Sequence, residues 1–494
     1  MQLASLNPLS QINFMNSNTL KAAIVGFDIT PRFHSVCGAW GCTPTMTEVD
    51  LPLLSRCVAL EEGGRRLIWY GSDLVGETIK GTDTYRDEVA DALKLRRDQV
   101  IWSTSQTHSS GAVPGSSLTG SSVCDLSKND PAFMAAERKR LMKSFIDAGR
   151  RALAEVQPAR VWAGRGFCDS MSYNTRMPMP SGGVKFSRHH QEGLESGKFF
   201  DPTIGLVRFE SPDGKPLGAI FNFCSHPATM INDKMISPDW VGTARAHIED
   251  ALGGAPAMFA QGFCGDVNCH HIFGTTEQAK RSGARLGRAA VEALATLTPV
   301  RGEPLLSEFK TINLQCQAMP ARAELERQLA ARQTFIDGLR DDPTSTWFDG
   351  INFPEQMTVA QRTVGVQMQM DHIREGLRLL DAGETVRSEL PLTLGAVRFG
   401  DVGAVLSPGE NFTLTGQNLR LRSPLAHTLI CGDTNGLFGY LGTDQEIDRG
   451  GYETYSFWKM LVFDGFRLAP AKGTAERIVQ TGVGLLRGLV AREN

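Results

Sequence analysis

The chain has no run of lysine and arginine long enough to track a phosphate backbone, no apolar stretch of membrane-spanning length and no paired cysteine framework. Its 51 basic and 54 acidic residues nearly cancel, leaving a formal charge of −3, so a phosphate backbone has nothing to grip and nucleic acid is excluded as a partner. A membrane helix needs about 20 apolar residues in succession. None is present, and the first 20 residues lack the basic start and apolar block of a secretion signal. The expectation is a cytoplasmic protein with no stable membrane anchor. The ten cysteines are scattered and read as reduced, mostly buried thiols. Cys264 and Cys269, followed by His270 and His271, resemble metal ligands, but their spacing matches no structural zinc pattern.

What is present is an ordinary globular composition, 41% hydrophobic and 21% charged, sufficient for a large core. β-prone runs are expected as strands at 20–27, 66–70, 99–105, 160–164, 217–224, 257–263, 392–399, 404–406 and 428–431. Helical spacing recurs at 83–93, 133–156, 276–297 and 475–490, the second of these opened by the cap signal Asp130-Pro131. This alternation predicts an α/β fold of mixed sheets flanked by helices. Strong helical periodicity at 321–339 and 359–380 predicts an inserted helical hairpin over about 319–382. Its tip carries Trp347, Phe348 and Phe353, which either cover an apolar substrate or pack down on the body. With no repeat and no linker in view, residues 21–494 are expected to form one domain behind a loose arm at 1–20.

Polar groups collect where β-prone runs end. Phe221-Asn222-Phe223-Cys224-Ser225-His226 is closed by Pro227, which places His226 at the mouth of a buried strand. His108 follows the run 99–105, Asp266 follows 257–263 and Glu410 follows 404–406. Strand ends hold a side chain rigidly while the loop beyond leaves room for a ligand. Two histidines, a glutamate and a further oxygen donor make a catalytic zinc set, since imidazole and carboxylate suit the ion and an open position serves the substrate. Glu410 and the two histidines supply such a set. A tyrosine joins it only where the dication favours its phenolate. Spacing alone does not select these residues, because a lone histidine is commonly a satisfied structural residue. His189 and His190, neighbours on a polar segment, are read as surface residues.

The chain resembles the catalytic domain of the neutral/alkaline non-lysosomal ceramidases from about residue 22 to about 455. The resemblance is carried by Gly26 through Pro31, Arg97 through Ile101 leading to Thr107-His108-Ser109, Asn222 through Thr229 with Asp239 and Gly242, Gly265-Asp266-Val267, Pro408 through Thr413, and Asn435 through Tyr440 with Thr443 and Glu446. It implies zinc held by His226, Glu410, Tyr440 and a fourth ligand. The family's first motif has two histidines separated by one residue, where this chain has Gln106 and His108. Either Gln106 replaces that ligand or a small shift of the loop brings His108 to the metal; His108 is taken as the fourth ligand, because imidazole binds zinc far better than an amide. The family follows Gly-Asp-Val with a serine that takes part in amide cleavage, and Asn268 stands there instead. An asparagine amide is no nucleophile, though it donates a hydrogen bond to an oxyanion. The family's immunoglobulin-like domain has no counterpart here, which favours a small, partly apolar molecule over a membrane sphingolipid.

The resemblance therefore implies a zinc-dependent hydrolase of an amide, less readily an ester, in a small-molecule substrate. Asp266 or Asp239 would orient or deprotonate the water, and Asn268, Arg176, Asn174 and Gln106 would meet the substrate. Two alternatives stand beside it. A zinc-dependent lyase or isomerase would use Tyr440 to move a proton, and a ligand-binding protein would keep the fold without turnover. Homo-oligomerisation is left open.

Overall fold

The structure, a computed structural model, describes residues 20–32, 35–36, 45–111, 113, 131–180, 182–231, 234–348, 351–459 and 465–492. The expected arm at 1–20, apart from Leu20, and most of the small polar loop at 109–127 lie outside the described residues.

Three mixed sheets carry the architecture. The first runs in the order Val100–Thr104, Arg65–Ser72, Leu54–Glu62, Lys21–Asp28, Gln157–Pro158. The second runs Ala257–Gln261, Pro216–Phe223, Thr203–Glu210, Arg160–Phe167, Thr298–Val300, and the third runs Leu305–Gln315, Glu389–Phe399, Val402–Leu406, His427–Cys431. Their central strands are buried on both faces and so read as nearly continuous apolar runs. One face of each sheet enters a shared interior where Trp69 and Ile101 meet Phe209, Ile220 and Met258, and these meet Phe399, Leu406 and Leu429. The other faces are covered by helices. Helix Pro131–Glu155 sets Phe145 against Tyr70 and Trp102 on the first sheet. Helices Trp240–Ala251 and Thr276–Leu294 cover the second, and Thr474–Ala491 covers the third. The fold is thus the predicted α/β arrangement of mixed sheets flanked by helices.

Each large sheet contains one parallel pair among otherwise antiparallel neighbours. The pairs are Arg65–Ser72 with Val100–Thr104, Pro216–Phe223 with Ala257–Gln261, and Val402–Leu406 with His427–Cys431. Parallel partners must leave the sheet at the same end, so polar loops gather outside their carboxyl ends. Gln106 and His108 follow the first pair, His226 and Asp266 the second, Glu410 and Asp433 the third.

The hairpin is present as helices Arg322–Gly338 and Val359–Asp381. Between them Trp347–Phe348 pairs antiparallel with Ile351–Asn352. Phe348 and Phe353 pack down with Phe335, Val366 and Met370, while Trp347 is 45% exposed. Among the described residues no helix is long and apolar enough to cross a membrane.

Candidate active site

The residues expected at strand ends come together. His226 Nε2 stands 3.3 Å from Glu410 Oε2. Glu410 lies directly opposite Tyr440 in the short parallel pair Gly409–Asn411 and Gly439–Leu441. The ring of Tyr440 lies 6.4 Å from that of His226, and the His108 ring lies 5.9 Å from His226 on another side. All four residues are at least largely buried. Burial and then the Glu410 charge hold the Tyr440 phenol well above its ordinary pKa, and burial followed by the His226 charge pushes His108 down to about 3. Tyr440 packs against Phe412 and, edge to face at 5.8 Å, against Tyr452.

The second sheet supplies the floor. His226 Nδ1 lies 3.0 Å from the Val267 carbonyl, and its backbone bridges to Asn268. A carbonyl only accepts, so Nδ1 donates to Val267 and Nε2 is left facing Glu410. Asn268 is buried, and its Oδ1 has no partner among the described residues. Asp266 accepts from Thr413 N at 2.7 Å and Asn174 Nδ2 at 2.8 Å, yet burial raises its pKa to about 6. Asp239 lies behind His226. It accepts from Met230 N and from Trp240 N as the N-cap of helix Trp240–Ala251, and burial likewise lifts it to about 6.

Arg176 departs from the expected substrate contact. Its guanidinium is 0% exposed, and it donates to Glu446, Glu453 and the carbonyls of Glu446 and Gly450. With every nitrogen engaged, it braces the wall, lying under Phe412 at 5.1 Å. Asn174 is also a brace, donating to Asp266 and to the Phe199 carbonyl. Nor do Cys264, Cys269, His270 and His271 form one group. Cys264 points to Gln106 and Cys269 to Thr229, while His271 stacks on His270 and His270 meets the ring of His190, the first residue of a short helix.

Two solved structures share this fold. A neutral ceramidase from Pseudomonas aeruginosa matches with TM-score 0.65 at 19% identity, over 96% of this chain and 75% of its own. A ceramidase complexed with C2 matches with TM-score 0.66 at 18% identity, over 96% and 76%. The fold is that of the neutral ceramidases. No family model matches the chain, and no curated protein matches it significantly.

On this ceramidase fold the donor chemistry fits a divalent cation. Among the described residues no three His, Cys, Asp and Glu side chains are yet drawn close enough to hold an ion. His226 Nε2 and Glu410 Oε2 nevertheless face each other at 3.3 Å with Nδ1 committed to Val267, an imidazole and a carboxylate that suit a shared cation. Asp433, absent from the expected set, adds to the case. It is 1% exposed, and neither carboxylate oxygen has a partner among the described residues. Burial and then the Glu410 charge raise its pKa well above the carboxylate range. Buried carboxylates are ordinarily paired or bound to metal. The available signal was its position just past the strand His427–Cys431, the same placement that singled out Glu410. Gln106, Asp239, Asp433 and Asn435 all adopt positive φ, an uncommon conformation for residues with a Cβ and one that gathers at functional loops.

Proposed function

We propose that the chain is a zinc-dependent hydrolase that cleaves the amide bond, and less readily an ester bond, of a small, partly apolar molecule in the cytoplasm. The observation that carries the reading is the 3.3 Å approach of His226 to Glu410 at the carboxyl ends of the parallel strand pairs. The solved structures that share the fold are ceramidases.

His108, His226, Glu410 and Tyr440 would hold the ion. When bound, it supplies Lewis acidity toward a carbonyl oxygen and makes a water easier to deprotonate. The chain's own residues do the rest. The Val267 carbonyl fixes the His226 tautomer, which keeps Nε2 aimed at the centre. Asn268, beside His226, offers its amide N–H to the oxygen that becomes negative as the amide is attacked. Asp266, with a pKa near 6, takes a proton from the water and returns it to the departing amine. Asp239 does its part indirectly, holding the loop after His226 through Met230 N. The Tyr440, Tyr452 and Phe412 rings form an apolar wall for the acyl side of the substrate.

Two measurements test this reading. Metal analysis should find zinc in the purified protein and none in His226→Ala. Hydrolysis of N-acyl amides in ¹⁸O-water should place label in the released acid. Equal zinc in both proteins removes the metal centre, and unlabelled products remove hydrolysis in favour of a lyase.

A further inference from the structure

The third sheet brings two carboxylates to the site, and the expected ligand set uses only Glu410. Asp433 lies in the turn after His427–Cys431, and its backbone carbonyl accepts from Thr104 N at 3.1 Å, two residues before Gln106. Gln106 in turn receives the Cys264 thiol at 3.7 Å. The turn that carries Asp433 is thus tied to the strand that leads to Gln106, and its buried carboxylate lies close enough to Glu410 for their charges to interact. Among the described residues no lysine or arginine pairs with Asp433 or with Glu410. A buried carboxylate with both oxygens unmatched, beside a second carboxylate, calls for a shared proton or a bound cation. Its positive φ of 45° shows that the backbone accepts strain to hold the side chain there.

We propose that Asp433 is a direct ligand of the cation at this centre, joining Glu410 and the histidines as a further donor. The proposal rests on the metal reading above and adds to it a second carboxylate donor. A donor set of imidazoles with two carboxylates is harder than one with a single carboxylate, so it also accepts manganese and iron(II) more readily.

The test uses the full chain stripped with chelator and titrated with zinc or cobalt(II) alone. Wild type should bind an ion, and Asp433→Asn should weaken zinc affinity by more than about 100-fold, beyond the usual effect of an outer-sphere change. Asparagine tolerates positive φ, and the melting temperature of the metal-free variant checks that it folds. In Asp433→Cys, cobalt(II) should give a thiolate-to-metal charge-transfer band that wild type lacks. Zinc affinity of Asp433→Asn within about threefold of wild type overturns the proposal. So does weakened binding without the new band, since the carboxylate would then act through its charge alone. If wild type itself binds no ion, the metal reading falls and this proposal with it, an outcome distinct from the first two.

Discussion

A guanidinium with zero exposure, held between two carboxylates, has nothing left with which to grip a substrate. Arg176 is therefore expected to matter for stability before catalysis. Arg176→Met should cost about 3–5 kcal/mol by leaving Glu446 and Glu453 buried without their cation. Urea unfolding of the metal-free protein measures this, and an unchanged midpoint would return Arg176 to the substrate side. Asn268 is expected to behave in the opposite way. Asn268→Ala should keep zinc and the melting temperature while lowering kcat roughly 10²–10³-fold, as the loss of one oxyanion donor does. Loss of zinc in that variant would show instead that the residue supports His226. At this scale the sequence showed His226, Glu410 and Asp266 through one local signal, a polar residue where an apolar run stops. The fate of Arg176 was hidden because its two carboxylate partners lie about 270 positions downstream and pair only through the fold. Asp433 carried the same strand-end signal but sits among glycine, threonine and asparagine, which read as a turn.

Elements with strong periodicity were legible nearly to their ends. Examples are the helix found at Pro131–Glu155, both hairpin helices, and strands such as Pro216–Phe223 and Ala257–Gln261. Strands Leu54–Glu62, Thr203–Glu210 and Leu305–Gln315 were missed, as were helices Trp240–Ala251 and Thr413–Arg422. Helix Trp240–Ala251 is hard to read in sequence because its cap, Asp239, is a carboxylate, a residue that capping and catalysis both call for. That helix ties packing to function. Trp240 donates its indole N–H to the His226 carbonyl at 3.2 Å, and Gly283 of the neighbouring helix leaves room for the Trp240 backbone. A Cβ at Gly283 would overlap the Trp240 carbonyl oxygen and crowd Ala244 N, backbone atoms that cannot turn aside. Gly283→Ala should therefore destabilise by about 1–3 kcal/mol and weaken zinc binding through the displaced His226 loop. Thermal melting together with zinc titration separates the two effects, and an unaltered melting temperature would show that the helices part freely.

Taken as a whole, the molecule converges three sheets on one end, and each contributes a parallel pair whose loops carry acids or imidazoles. Gathering so many titratable groups away from water makes stability a function of pH, with terms of both signs. Asp239 and Asp266, raised to about 6 by burial, bind protons more tightly folded than unfolded, so their contribution grows as pH falls through that value. His372 works the other way. It lies on the second hairpin helix, stacked on Phe466 at 4.3 Å, with Nδ1 unpartnered among the described residues. Burial depresses its pKa from 6.5 to about 4. The folded state then binds this proton less well than the unfolded chain, so the stability His372 gives is complete above pH 6.5 and is lost as pH falls toward 4. Its full extent is roughly 3 kcal/mol. The opposing aspartates blur this loss in wild type, but subtracting a His372→Phe variant isolates it. Denaturant unfolding at pH 7 and pH 5 should show wild type losing about 2 kcal/mol more than the variant between those values. Parallel losses in the two proteins would mean that the ring is already protonated, or already wet, in the native hairpin.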